Sequence, residues 1–424
     1  MRVRFIALLG LLLGIAAPAM AQQGAVEPPS DDVPGVPPAV RVVAGQDGIA
    51  IESGNGEYRL QFGLLMQGDG RFAIDDDAAL VTDTFIMRRL RPYLRGRILR
   101  RFEFNFVPDF GNGTVLVQDA YLDTIFSQAF RIRAGKAKTP FGMERLQSGS
   151  NLLFMERAYP TSLAPNRDVG VQVLGDIRGG VVSYLAGVMN GVADGGSADV
   201  DTNDGKDVSA RVIVRPFTRN IASPLRGLGV AVAGNTGQQS GTAALPTYKT
   251  PTLQQTFFSY ATGAVANGRR VRYSPQLFFF RGPFGGWAEY VHTELAVTRN
   301  GVSDDIAARA WQVAASWVLT GETATDASAG IRPRAIFDPS SGHWGAFQIA
   351  ARVQGLEVDQ AAVDLGFAAA GSSRTAQTWT VGLNWYLTGN VKYVLNVERT
   401  VFDENRAGAR PPENGIAFRT QLSF

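Results

Sequence analysis

From Ile49 to Phe424 the chain keeps one texture: apolar and polar residues alternate over roughly 8–15 positions, then a cluster of Gly, Asn, Asp or Ser intervenes. A side-chain period of two belongs to a strand with one oily face and one wet face. No helical period persists for three turns, the weak exception being residues 143–158. Such a chain reads as an all-β fold, either a sandwich or a sheet closed on itself. The last nine residues sharpen the choice. Ile416, Phe418, Thr420, Leu422 and Phe424 fall on one face, and Ala417, Arg419, Gln421 and Ser423 on the other. Chain ends are ordinarily frayed and polar, so a terminus that stays amphipathic to its final aromatic reads as a closing element.

The other end sets the compartment. Arg2 and Arg4 precede an apolar run from Phe5 to Ala17, and Ala19-Met20-Ala21 supplies a small-x-small cleavage pattern, so residues 1–21 read as a secretory signal peptide. That run is too short to span a bilayer as a helix, and no later segment is long and apolar enough. Residues 22–45 carry Pro28, Pro29, Pro34, Pro37 and Pro38 among small and acidic residues and read as a Pro-rich flexible linker. Residues 46–424 form the remaining domain. There are no cysteines, so an exported chain of this kind is held by topology rather than disulfides. The formal charge of +3 falls to +1 without Arg2 and Arg4, and its size points to no nucleic-acid partner.

The pattern predicts strands near 58–72, 84–98, 101–108, 115–126, 130–138, 169–178, 181–190 and 207–217. Eight more follow near 227–235, 269–281, 284–298, 306–320, 343–357, 374–388, 391–402 and 415–424. Residues 256–264 are assigned to a loop. Sixteen is an even number, as a transmembrane up-and-down antiparallel β-barrel with both termini on the periplasmic side requires. Long polar connections at 191–207, 236–255 and 321–342 broadly alternate with tight ones near 99–101, 179–180, 282–285 and 388–390. The long ones are expected at the external end. The Phe-terminated last strand resembles those of bacterial outer-membrane barrels.

The chemistry lies in arginines. On the second strand Arg89, Arg91, Arg95 and Arg97 share a face with Tyr93, while Ile86, Leu90, Leu94 and Ile98 take the other; Arg88 breaks the outer face and is expected to snorkel toward headgroups. Arg131 and Arg133, Arg211 and Arg215, and Arg270 and Arg272 repeat the alternation, and Arg352, Lys392 and Arg419 hold polar-face positions. Only five of the 41 basic residues are Lys. Arginine stays charged and offers paired donors to phosphate or carboxylate, so the pattern reads as a basic ladder lining a water-filled pore. The competing reading is structural: ion pairs to Glu103, Asp119 and Asp123. Residues 139–168 are too long for a turn; Arg145, Arg157 and Arg167 are balanced by Glu144, Glu156 and Asp168, with Leu152 to Met155 as an apolar anchor. They read as an inward-folded constriction loop. His292 and His343 sit in no metal-ligand spacing and near no nucleophile elbow, so no catalysis, metal or cofactor is expected.

Ordered along the chain, Tyr58-Arg59-Leu60-Gln61-Phe62-Gly63, Asp119-Ala120-Tyr121-Leu122-Asp123, Gly135 to Glu144, Arg167 to Gln172, Gly282-Pro283-Phe284-Gly285, Gly382 to Leu387 and Phe418 to Phe424 resemble the phosphate-selective porin O/P family. The resemblance implies a sixteen-stranded outer-membrane barrel, a homotrimer, a basic pore with Lys136 and Lys138 near the constriction, and passive diffusion of anions such as phosphate or polyphosphate. Phosphate-specific members crowd lysines there, whereas Lys136 and Lys138 stand alone here. Anion preference survives that departure better than phosphate specificity. A general diffusion porin with weak selectivity, and a barrel enzyme lacking any visible nucleophile, stand as alternatives. All six tryptophans lie between Trp287 and Trp385. Tryptophan favours the headgroup level, so the late strands are expected to face lipid and strands within 58–138 a subunit interface.

Overall fold

The computed structural model describes residues 40–424 except 46, 75–80, 202, 327–328 and 406–407. The expected signal peptide and residues 22–39 of the expected linker lie outside the described residues. A hairpin, β1 (Val40–Gly45) and β2 (Gly48–Ser53), comes first. Then follow β3 (Arg59–Ile74), β4 (Thr84–Ile98), β5 (Phe102–Asp109), β6 (Leu116–Ser127), β7 (Phe130–Lys138), β8 (Arg167–Ile177), β9 (Val182–Met189), β10 (Asp207–Val214) and β11 (Leu228–Gly241). The short β12 (Tyr248–Lys249) and β13 (Thr256–Phe258) pair only with each other. After them run β14 (Val265–Arg281), β15 (Phe284–Arg299), β16 (Val302–Val318), β17 (Ala346–Val358), β18 (Thr375–Tyr386) and β19 (Val391–Phe402). A second small pair, β20 (Glu404–Asn405) and β21 (Gly408–Ala409), precedes β22 (Glu413–Ser423). The described helices are single turns such as α1 (Pro160–Leu163) and α2 (Ala361–Asp364).

The main sheet holds eighteen strands. The β1–β2 hairpin is appended to β3, and the other sixteen close into an antiparallel barrel when β22 pairs with β3, Ser423 opposite Leu65 and Asn414 opposite Ile74. Closure leaves no edge along that seam, which is how a sheet satisfies its backbone without water. The terminal residue takes part: Phe424 N–H donates to the Leu64 carbonyl at 3.0 Å, and the Leu64 N–H and Tyr93 hydroxyl donate to its oxygen at 2.9 and 2.7 Å. Alternation is clean on the late strands, with Arg270, Arg272, Ser274 and Gln276 buried inward and Tyr273 and Leu277 exposed outward.

Four expectations need correction. Residues 40–45, placed in the linker, form β1 and pair with β2, Val42 opposite Ile51. Arg88 does not snorkel outward. A bulge skips it between the pairs Gln67–Arg89 and Gly68–Met87, so the chain is re-aimed there. Arg88 turns inward, and above the bulge the phase flips, so that Ile86 shares the inner face opposite Asp69 while Phe85 and Met87 are exposed. The 321–342 connection does not lie at the external end. Strand direction puts residues 319–345 at the same end as the tight turn 387–390 and both termini of the barrel, whereas β15 and β16 join at the opposite end through residues 300–301 alone. His343 sits in that 319–345 segment, not on a strand, and its N–H donates to the Asp338 carbonyl.

Candidate functional site: the lumen and its basic wall

Residues 139–166, between β7 and β8, occupy the barrel interior, held there by side chains that the alternation turns inward. Leu152, Leu153 and Met155 offer their carbonyls to Lys392, Asn384 and Arg419 at 3.0, 2.9 and 2.7 Å. The N–H groups of Met143, Met155 and Tyr159 donate to Glu289, Asn396 and Gln354 at 2.6, 2.8 and 2.8 Å. Met143, Leu153 and Phe154 pack with Phe278, Trp287 and Ala350. Because these partners lie on β14–β19 and β22, the loop fills that side of the barrel. The open lumen is left against β3–β10.

Glu156 is the loop's main ionic anchor, and sequence reasoning treated it only as local charge balance. Its carboxylate meets Arg71 at 2.6 Å, Arg88 at 2.6 Å, Arg419 at 3.6 Å and Arg89 at 3.9 Å, while Asp69 pairs with Arg419 at 2.6 Å and Arg71 at 3.1 Å. Burial opposes its ionisation, but Arg88, Arg71 and Arg89 outweigh burial and hold the carboxyl well below the ordinary glutamate value. The bulge at Arg88 makes this cluster possible, and no alternation pattern reveals a bulge.

Below the loop lies a cavity of about 750 Å³ open toward the termini end. Arg91, Arg95, Arg133, Lys138, Arg167, Arg211, Arg215 and Arg332 line it, against Asp47, Asp119 and Asp326. Several of these cations are paired. Arg91 meets Asp109 at 2.7 Å, Arg133 meets Asp123 at 2.7 Å, and Arg167 meets Asp119 at 2.9 Å. Lys138 donates to the carbonyls of Leu146 and Gln147 at 3.0 and 2.7 Å, tying β7 to the inner loop. Three guanidiniums are held differently. Arg95 donates to Asn105 at 3.1 Å and stacks on Tyr93 at 4.3 Å; Arg211 donates to Gln276 at 2.7 Å; Arg215 donates to Ser183 at 3.1 Å beside the Phe278 ring. Among the described residues no carboxylate lies within 4 Å of these three. Amide, hydroxyl and ring partners orient a guanidinium without cancelling its charge.

The remaining expected positions lie elsewhere. Arg270 and Arg272, 0% and 1% exposed, are sealed beneath the 190–206 loop, Arg270 on Asp207 at 3.1 Å and Arg272 on Asp194 at 2.7 Å. Arg272 anchors that loop through Asp194 and the Val192 carbonyl, Arg270 holds Asp207 at the start of β10, and neither lines open water. Lys136 likewise reaches Asp199 of that loop. Arg89 is buried above the cavity on Gln67, and Arg131 and Arg97 lie near the termini end with Glu103 at 3.8 Å and Glu52 at 3.3 Å. Arg145 donates to the Thr161 carbonyl and Arg157 to those of Glu144 and Gln147, so both brace the inner loop from within. On β4, Arg89, Arg91 and Arg97 meet Glu156, Asp109 and Glu52 rather than the Glu103, Asp119 or Asp123 of the structural reading that the sequence left open. Arg332 was not foreseen. It enters from the 319–345 segment, whose Ile331 and Ala324 pack on Val318, Ala346 and Tyr386.

The chain matches the family model described as phosphate-selective porin O and P over residues 60–424. No individually curated protein matches it in sequence. Among solved structures it is similar to the anion-selective porin from Comamonas acidovorans, with 11% identity, a TM-score of 0.52, and coverage of 87% of this chain and 100% of that one. The outer membrane channel DcaP of Acinetobacter baumannii shares 11% identity and a TM-score of 0.54, covering 88% and 99%. The trimer form of OmpT of Vibrio cholerae shares 10% identity and a TM-score of 0.51, covering 87% and 99%. At such identities these structures speak to the fold, while the family match speaks to the chain. The sixteen-stranded barrel, its basic lumen and the match over nearly all of the barrel make this chain a member of the phosphate-selective porin O and P family, an anion-channel porin of the bacterial outer membrane.

Proposed function

We propose that anions cross this channel through a station formed by Arg95, Arg211 and Arg215 below the inner loop. The observation that carries it is the set of neutral partners: Asn105, Gln276 and Ser183 fix three guanidiniums in a water-filled cavity and leave their charge for the solute. Such a site concentrates anions and replaces part of their hydration, yet releases them because it offers several weak contacts rather than one tight one, Arg95 being exposed and Arg211 buried against Gln276. Phosphate and polyphosphate fit the paired donors of arginine. Both lysines expected near the constriction are already engaged, Lys136 by Asp199 and Lys138 by two carbonyls, which favours anion preference over strict phosphate specificity.

The assembly that fits is a homotrimer, as in the trimer form of the Vibrio cholerae outer membrane protein OmpT, exported through a cleaved signal peptide at residues 1–21 with its outer face in lipid. The experiment is planar-bilayer recording of the mature protein with inorganic phosphate added to chloride. Dose-dependent phosphate block that weakens in the R95Q/R211Q/R215Q variant supports the station. Undiminished block in that variant, with its heat-shifted band intact, contradicts it. A reversal potential near zero favours a general diffusion porin, the reading that the ion-paired Arg91, Arg133 and Arg167 favour.

A further inference from the structure

We infer that the β1–β2 hairpin sets anion release at the periplasmic mouth, with Glu52 as the residue that determines it; this rests on the lumen being an anion path. The register brings one charged row across five strands: Arg41 lies opposite Glu52, Glu52 opposite Arg59, Arg59 opposite Arg97, and Arg97 opposite Glu103. Arg59 and Arg97 face each other directly, an arrangement that repels unless a carboxylate intervenes. Glu52, its side chain 14% exposed, accepts from Arg59 and Arg97 at 3.3 Å each and from Arg41 at 3.5 Å. One hairpin carboxylate therefore damps three guanidiniums at the rim.

The neighbouring row differs. There Gln61 lies opposite Arg95, and Arg95 opposite Asn105, so no carboxylate offsets Arg95. Arg95 and Arg97 are two residues apart on one strand, about 7 Å. Over that distance an anion passes from a guanidinium with neutral partners to one that shares a carboxylate. Binding must weaken toward the exit for conduction to be fast, and this step supplies the weakening on one side only. β22 pairs with β3 as far as Ser423 opposite Leu65, and the first residues of β3 pair instead with the hairpin, Glu52 opposite Arg59 and Ile49 opposite Phe62.

The test uses the full mature channel in planar bilayers, with inorganic phosphate added to one side at a time in potassium chloride. E52Q should lower the half-blocking phosphate concentration from the periplasmic side by about three- to tenfold, the order expected from unmasking one nearby charge, and change it far less from the external side. E52Q/R97Q should return it toward the wild-type value. An unchanged or two-sided effect of E52Q, or failure of the double variant to restore, overturns the inference while leaving the anion path standing. Loss of the E52Q heat-shifted band directs the test to R97Q beside R95Q. Of the two, R97Q should raise the half-blocking phosphate concentration from the periplasmic side by clearly less, because Arg97 shares Glu52 and Arg95 has neutral partners; an equal or larger effect of R97Q overturns the inference equally. A wild-type channel without anion preference overturns both readings.

Discussion

Charges in this lumen divide by what holds them, and substitution at single residues separates the two kinds. Arg95 rests on an amide and a ring, so R95Q should lower chloride-over-potassium selectivity and leave the heat-resistant form unchanged on a gel. Arg91 is different. It pairs with Asp109, whose carboxylate also accepts the N–H groups of Leu90 and Gly111 and the side chain of Gln118. R91Q leaves that carboxylate with neutral donors only and should destabilise the barrel by about 2 kcal/mol, seen as a lower temperature of heat modification. The alternation made the two arginines look equivalent. Their difference lies in the β5 residue each meets, Asp109 for Arg91 and Asn105 for Arg95, while the β5–β6 bulge, where Val107 pairs with Asp119 and Pro108 with Val117, skips Gln118 and brings it to Asp109. Arg270 and Arg272 carry the same lesson: their face was legible, but the 190–206 loop above them was not. Long polar loops carry no period from which docking can be read.

At the scale of elements, the inner loop and the 319–345 segment shape the channel from opposite ends. The loop's ionic anchor gives a pH signature. A carboxyl held below its ordinary value contributes stability that is complete above the unfolded-state value and is lost only as pH falls through the lower folded value. Glu156 should therefore keep the loop docked from pH 8 down to about 5, with steady single-channel current, and release it only in stronger acid. E156Q should bring flickering current at neutral pH, because four guanidiniums lose their shared partner. Deleting Ala329 to Arg332, a stretch from which Ala329, Gly330 and Arg332 line the cavity, should widen the periplasmic mouth and raise conductance. Unchanged conductance would show that those residues do not narrow the path. The sixteen strands were legible because period two and turn clusters report burial and backbone reversal directly. The end at which a long connection lies was legible only by counting strand directions, and length alone misplaced this one.

For the whole molecule, lipid and neighbouring subunits divide the outer wall. Trp311, Trp317, Trp344 and Trp379 are exposed, and Trp385 joins Trp344, Phe337 and Tyr393 in an aromatic cluster. Trp287 departs from the expected belt: it is 6% exposed and points inward to the loop's apolar anchor. Brominated lipid should quench the other five and spare Trp287. On the early strands Leu90 and Leu94 face outward without any tryptophan, so cysteines there should crosslink between subunits of a trimer. Ready labelling of both from lipid in the assembled protein would place the interface elsewhere. The sign of the charge that passes is the property of the whole channel that matters most. In a potassium chloride gradient across a planar bilayer, the mature wild-type protein should give stepwise conductance and a reversal potential displaced toward the chloride equilibrium potential. A displacement toward potassium would contradict the anion path, whatever the fate of the barrel.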